Sequence, residues 1–163
     1  MKLSRVRLLA AGVVLVGSAV LVPGAFASAP SGFTATTLVT ADLDQTVKIN
    51  SDMIKLQTKE PTDVRVQRIV IEAGGSSGWH HHPGVVIIAI DSGSLTFWDS
   101  QCNATTYGPG LPNGAVLTES GHEPGQVTSD NGGTSYTTFI APSANPPVFR
   151  IEDNPPPCAT GTR

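Results

Sequence analysis

The chain has 163 residues, with ten Lys and Arg against thirteen Asp and Glu, a net charge of −3. That length suits one domain of ordinary size with room for a buried core. No basic patch points to nucleic acid, and no basic amphipathic helix points to a lipid surface for the mature chain.

The first 27 residues read as a signal peptide. Lys2, Arg5 and Arg7 form a basic start, and Leu8 to Val22 is an apolar run too short for a comfortable membrane span. Pro23-Gly24 breaks the run, and Ala25-Phe26-Ala27 has the small-x-small pattern of a cleavage site. A retained anchor is the alternative. Cleavage after Ala27 leaves a secreted domain, residues 28–163, in which seven basic residues face thirteen acidic ones, a net charge of −6. Such a charge favours solubility.

Helix signals are nearly absent beyond that point. Prolines and glycines are spread throughout, and Thr, Val and Ile dominate between them, a pattern that argues an all-β sandwich or barrel. Phe33 to Thr40 predicts a first strand. Val47 to Ile49 and Met53 to Gln57 predict two short strands around an Asn50-Ser51-Asp52 turn. Thr58 to Asp63, with Pro61, reads as a loop. Val64 to Ala73 is a clear strand whose alternation slips near Arg68, as a bulge or burial on both faces would produce.

Gly74 to Gly78 is a turn into Gly78-Trp79-His80-His81-His82-Pro83-Gly84, which holds three of the four histidines. Val85 to Ile90 is continuously apolar and predicts a strand buried on both sides. Asp91-Ser92-Gly93 predicts a tight turn and Leu95 to Trp98 the return strand of a hairpin. Asp99 to Gly114 is rich in loop residues. Short strands are expected at Ala115 to Thr118, Gln126 to Ser129, Thr134 to Ala141 and Val148 to Ile151, the last before a Pro-rich tail.

Cys102 and Cys158 are the two cysteines. In an exported protein an even pair reads first as a disulfide, which would tie the tail to the middle of the domain; two free thiols are the alternative.

Residues i and i+2 of a strand point the same way, with Cα atoms roughly 6.6 Å apart. His80 and His82 would therefore project together and can reach one metal ion, while Trp79 and His81 face away. Imidazole suits Zn, Fe, Cu and Ni. The third ligand must come from elsewhere. His122 is the only other histidine, and Glu119 and Glu123 are the carboxylates beside it. A three-ligand site of either composition leaves open positions for substrate or water. A solvated His cluster that binds nothing is the alternative.

From Gly75 through Gly93 the chain resembles the cupin superfamily, with the core Gly78-Trp79-His80-x-His82-Pro83-Gly84 and the turn Asp91-Ser92-Gly93-Ser94-Leu95. It looks most like small exported single-domain cupins of actinobacteria, a likeness that runs from about Thr37 to Cys158. Thr58-Lys59-x-Pro61-Thr62-Asp63-Val64, Cys102 and Cys158 also fit that group. The resemblance implies a double-stranded β-helix, a jelly-roll barrel around a small pocket, and a divalent metal at the pocket bottom. It implies ligands at two first-motif histidines, a glutamate a few residues later and a second-motif histidine. This chain departs from that pattern. The glutamate position falls at Val86 or Ile87, and the second-motif histidine falls at Val127.

The expected metal ligands are thus His80, His82 and His122, holding Fe, Mn, Zn, Ni or Cu. The expected partner is a small-molecule ligand, held or converted by oxidative or isomerising chemistry. Only Glu119 or Glu123 offers itself as a general base. A metal-free barrel that binds a sugar or another small molecule without catalysis is the second reading. The resemblance also implies a homodimer through edge strands, which no residue here specifies.

Overall fold

The computed structural model describes residues 28–160. The signal peptide expected over residues 1–27 lies outside them. In chain order the elements are β1 (Ser31–Leu43), β2 (Lys48–Asn50), β3 (Lys55–Gln57), β4 (Thr62–Ser76), β5 (His80–His81) and β6 (Val85–Gly93). They continue with β7 (Leu95–Trp98), β8 (Ala104–Tyr107), β9 (Val116–Ser120), β10 (Gln126–Ser129), β11 (Gly133–Pro142), β12 (Ile151–Glu152) and a single helical turn, α1 (Pro157–Thr160).

Eight strands form one antiparallel sheet in the order β8-β7-β10-β4-β11-β6-β9, with β1 also paired to β4. The sheet rolls into a nearly closed barrel. β2 and β3 form a separate hairpin, and β5 pairs with β12. The expected all-β barrel is present.

The core lines the barrel interior. Ile71, Val86 and Leu95 are almost wholly buried, joined by Ile69, Ile88, Leu117, Val127, Phe139 and Phe149. Burying each such side chain stabilises the fold by roughly 1.5–3 kcal/mol. Interior positions follow the two-residue period. On β11 the inward residues are Ser135, Thr137, Phe139 and Ala141, while Tyr136 is exposed.

Three expectations are corrected. Val85 to Ile90 is buried on one face only: Val86, Ile88 and Ile90 point inward, whereas Val85 and Ile87 are more than 40% exposed. The strand lies in an antiparallel sheet with one covered face, so its continuous apolar run does not report two-sided burial. Second, β6 and β7 do not form a hairpin. β6 pairs with β9 and β11, whereas β7 pairs with β8 and β10. Gly93 turns the chain from one half of the barrel to the other. Its φ is +74° and a Cβ there would lie 2.1 Å from the Gly132 carbonyl oxygen, so both backbone geometry and space demand glycine.

Third, the slip near Arg68 is not a bulge in β4, whose register with β11 is unbroken from Ile71 to Thr62. Arg65, Gln67, Ile69 and Ile71 all line the interior. Two polar residues at inward positions hide the alternation. The irregularity lies in the partner strand, where β1 carries an extra residue between Thr37 and Val39.

Gly84 anchors the segment that carries the histidines. A Cβ at this position would lie 1.9 Å from the Ile140 carbonyl oxygen, inside the backbone of β11. Gly84→Ala is expected to destabilise the protein by about 3 kcal/mol, the upper range for overpacking, read as a lower midpoint in urea denaturation. An unchanged midpoint would show that the two strands separate freely there.

Candidate metal centre

β5 is only two residues long, yet it is held from both sides. Glu152 and Ile151 of β12 pair with His80 and His81, and His80 exchanges backbone hydrogen bonds with Gly125 at 2.9 and 2.8 Å. This short pairing fixes the alternation expected from the sequence. His80 and His82 are buried side by side, with ring centroids 4.8 Å apart. His81 points elsewhere. Its Nδ1 meets Asp153 Oδ2 at 2.7 Å, and its ring packs edge-on against His122 at 5.6 Å.

A third group joins the pair. Glu119, on β9, places Oε2 3.1 Å from His82 Nε2. Val86 faces Glu119 across the β6–β9 ladder, which brings the carboxylate alongside the His80–Gly84 segment. One ligand atom from each of His80, His82 and Glu119 lies within 4.8 Å of the others. Two donors at about 2.1 Å from one ion stand roughly 3–4 Å apart, so the His82–Glu119 spacing already matches shared coordination.

The surroundings orient the donors. His80 Nδ1 meets the Gly78 carbonyl oxygen at 2.8 Å, and His82 Nδ1 meets the Phe149 carbonyl oxygen at 2.5 Å. Each carbonyl accepts from a ring N–H, which places the proton on Nδ1 and leaves the Nε2 lone pair free to ligate. Burial, with the Arg150 charge second, pushes the His80 pKa down to about 4, so its imidazole is neutral near pH 7. Neutral imidazole is the form that binds metal. Glu119 Oε1 is buried and has no hydrogen-bond partner among the described residues. A buried carboxylate oxygen without a partner is costly, and a cation beside it would remove that cost. The two free ring nitrogens and this oxygen therefore fit a divalent ion.

Of the three ligands expected from sequence, the structure brings His80 and His82 together and sets His122 against His81. The group that stands beside the pair is Glu119. The sequence offered it as one of two neighbouring carboxylates, and only the β6–β9 register distinguishes it from Glu123.

The trio lines an interior chamber of about 400 Å³. Ile69, Ile71, Val86, Ile88, Leu95 and Phe139 supply apolar wall, and Arg65, Gln67 and Arg150 supply polar groups. The same three ligands border a second, more polar cavity of about 370 Å³, walled by Asp99, Gln101, Ser120 and Glu123. Cys102 and Cys158 are joined in the expected disulfide, which tethers the loop beside this second cavity to the C-terminal tail.

No family model matches this sequence, and no curated protein does. Among solved structures the chain is similar to a conserved protein of unknown function from Streptococcus pyogenes, at 14% identity and a TM-score of 0.47, over 69% of this chain and 76% of that one. It is similar to a cupin-like protein from Thermotoga maritima, at 17% identity and a TM-score of 0.44, over 56% and 65% of the two chains. It is also similar to a salicylate 1,2-dioxygenase from Pseudoaminobacter salicylatoxidans, at 14% identity and a TM-score of 0.45, over 66% of this chain and 25% of that one. The chain thus spans a quarter of the dioxygenase's length, and these likenesses say nothing about its activity. The strand order and the near closure of the sheet make the fold a single antiparallel β-barrel, with the His-x-His segment lining its interior.

Proposed function

We propose that this protein is an exported cupin-type barrel that holds a divalent metal on His80, His82 and Glu119 and binds or converts a small molecule in the adjoining chamber. The observation that carries the reading is the buried, partnerless Glu119 Oε1 beside two imidazoles already set to offer Nε2. Export rests on the basic and apolar start of the sequence, and a disulfide suits the oxidising compartment such a start leads to.

Three protein ligands leave coordination positions open. A metal held there would supply Lewis-acid polarisation of an oxygen placed beside it. The chain's own contribution is to shape and desolvate that position. The apolar wall excludes bulk water, and the Phe149 and Gly78 carbonyls hold the two rings. Glu119, as a ligand, is committed to the metal, which leaves Glu123 and Asp99 on the polar cavity as the nearby carboxylates for proton transfer.

A metal-free, sugar-binding barrel is the weaker reading. The chamber wall is mostly Ile, Val, Leu and Phe, which offers a sugar's hydroxyls few partners.

The test is metal content of the purified protein after reconstitution with Fe, Mn, Zn, Ni and Cu in turn. One ion per chain is expected, with the same stoichiometry in His122→Ala. Absence of metal from every reconstitution would remove the reading. Loss in His122→Ala would move the third ligand from Glu119 to His122.

A further inference from the structure

Two guanidinium groups reach the chamber wall, and they differ. Arg150 is neutralised: its Nε and Nη2 bind the two carboxylate oxygens of Glu152 at 2.5 and 2.8 Å, and Nη2 also donates to the Ser77 carbonyl. Arg65 has no such partner. Its Nε donates to Thr40 Oγ1 at 3.2 Å, and its Cζ lies 4.1 Å from the centroid of the Phe149 ring. No carboxylate pairs with it among the described residues. Asp63, two residues along the same face of β4, accepts instead from Ser143 Oγ and the Ala144 N–H.

Among the described residues the only carboxylate on the chamber wall is Glu119, whose Oε2 faces His82 Nε2. Arg65 sits at a different part of the wall. On the β4–β11 ladder it faces Phe139, whose ring lies between those of His82 and Phe149, at 5.3 and 6.2 Å. Gln67, the next inward residue, adds a carboxamide beside it. A largely apolar chamber thus carries one uncompensated positive charge, set apart from the metal trio by aromatic surface.

Arg65 is half-buried, and a cation there attracts an anion, whose carboxylate the guanidinium fork matches. The remaining wall can bury an apolar body, and a volume of about 400 Å³ accommodates one ring with a short chain. We propose that the chamber takes a small organic acid with an apolar body, its carboxylate held by Arg65 and its body lying along Phe139 toward the metal trio. The proposal rests on reading the barrel interior as the ligand chamber and deepens it by naming the ligand class.

The test uses three acids, benzoate, phenylacetate and 3-phenylpropionate, each against its own neutral amide. Binding is measured by titration calorimetry on wild type, Arg65→Gln and Arg65→Lys, in both metal-stripped and metal-loaded preparations. At least one acid is expected to bind wild type about tenfold or more tightly than its amide, as one charge-assisted contact implies. The preference should vanish in Arg65→Gln and survive in part in Arg65→Lys, with thermal melts confirming that both variants fold. No acid preference in any pair, no binding of any probe, or a preference unchanged in Arg65→Gln would overturn the proposal. Acid preference in the metal-stripped protein supports it even where no metal loads. One ion per chain without acid preference overturns it while leaving the metal reading intact.

Discussion

Glu119→Gln is expected to abolish stoichiometric metal binding while leaving the metal-free protein at least as stable as wild type. The carboxylate is the one anionic donor in the trio, and a carboxamide nearly matches its shape without its charge. Loss of an outer hydrogen-bond partner typically weakens metal affinity by roughly 10–100-fold, and loss of the charged ligand itself should exceed that. The stability effect has the opposite sign. In the metal-free protein Glu119 is buried, one oxygen faces His82 Nε2, and the other has no partner. Desolvating a carboxylate in that state costs several kcal/mol, and the His82 Nε2 lone pair that faces it donates nothing in return. A neutral Gln removes most of that cost, and its amide N–H can donate to the His82 Nε2 lone pair. His82→Ala provides the contrast. It also removes a ligand, but it leaves Glu119 in place and opens a cavity where the buried ring and its contact to the Phe149 carbonyl were, so it should lower stability by about 2–5 kcal/mol. Metal content and thermal melts of the three metal-free proteins check both halves. Retained metal in Glu119→Gln, or equal destabilisation by the two substitutions, would show that Glu119 has only a structural role.

The barrel was legible because its signals are local. Frequent turn residues and short β-branched segments specify an all-β chain whatever the packing, and the alternation of His80 and His82 against His81 follows from strand geometry alone. Pairing partners were not legible. Asp91-Ser92-Gly93 looks like a hairpin turn, yet β7 leaves β6 for β10, because the constraint at Gly93 is contact with Gly132 in the distant turn before β11. Continuous Val and Ile in β6 misreported two-sided burial for a related reason: composition records what a strand can tolerate on its outer face as well as what its inner face needs. The carboxylate beside the pair depended on the β6–β9 register, which sets Glu119 opposite Val86 and leaves His122 beyond the strand end near His81. Arg65 was the least visible of all. An arginine in a strand reads as solvent-facing, and only the unbroken β4–β11 register places it inside.

Reduction of Cys102–Cys158, or Cys158→Ser, is expected to destabilise the protein by about 4 kcal/mol and to loosen the metal centre as well. The first effect follows from loop closure. The bridge spans a sequence separation of 56, and releasing it frees that much entropy in the unfolded chain. The second follows from what the tethered tail touches. Immediately before Cys158 the chain supplies the Phe149 carbonyl that orients His82, the Arg150 contact to Ser77, the β12 pairing to β5, and the Asp153 contacts to Trp79 and His81. These contacts are spread over five residues, and β12 itself is only two residues long. Without the covalent anchor, so short a strand gains little cooperative support, because an isolated pairing of this length does not sustain itself in water. Loss of the Phe149 carbonyl alone should weaken metal affinity about tenfold, the lower range for an outer partner. Urea denaturation with and without reductant reads the global effect. Hydrogen exchange of residues 79–82 and 151–153 reads the local one, and metal titration of the reduced protein connects the two. If reduction lowers the denaturation midpoint but leaves exchange at residues 79–82 and metal affinity unchanged, the disulfide stabilises the domain without bracing the site. If all three change together, the tail is the structural support of the His80–His82 pair.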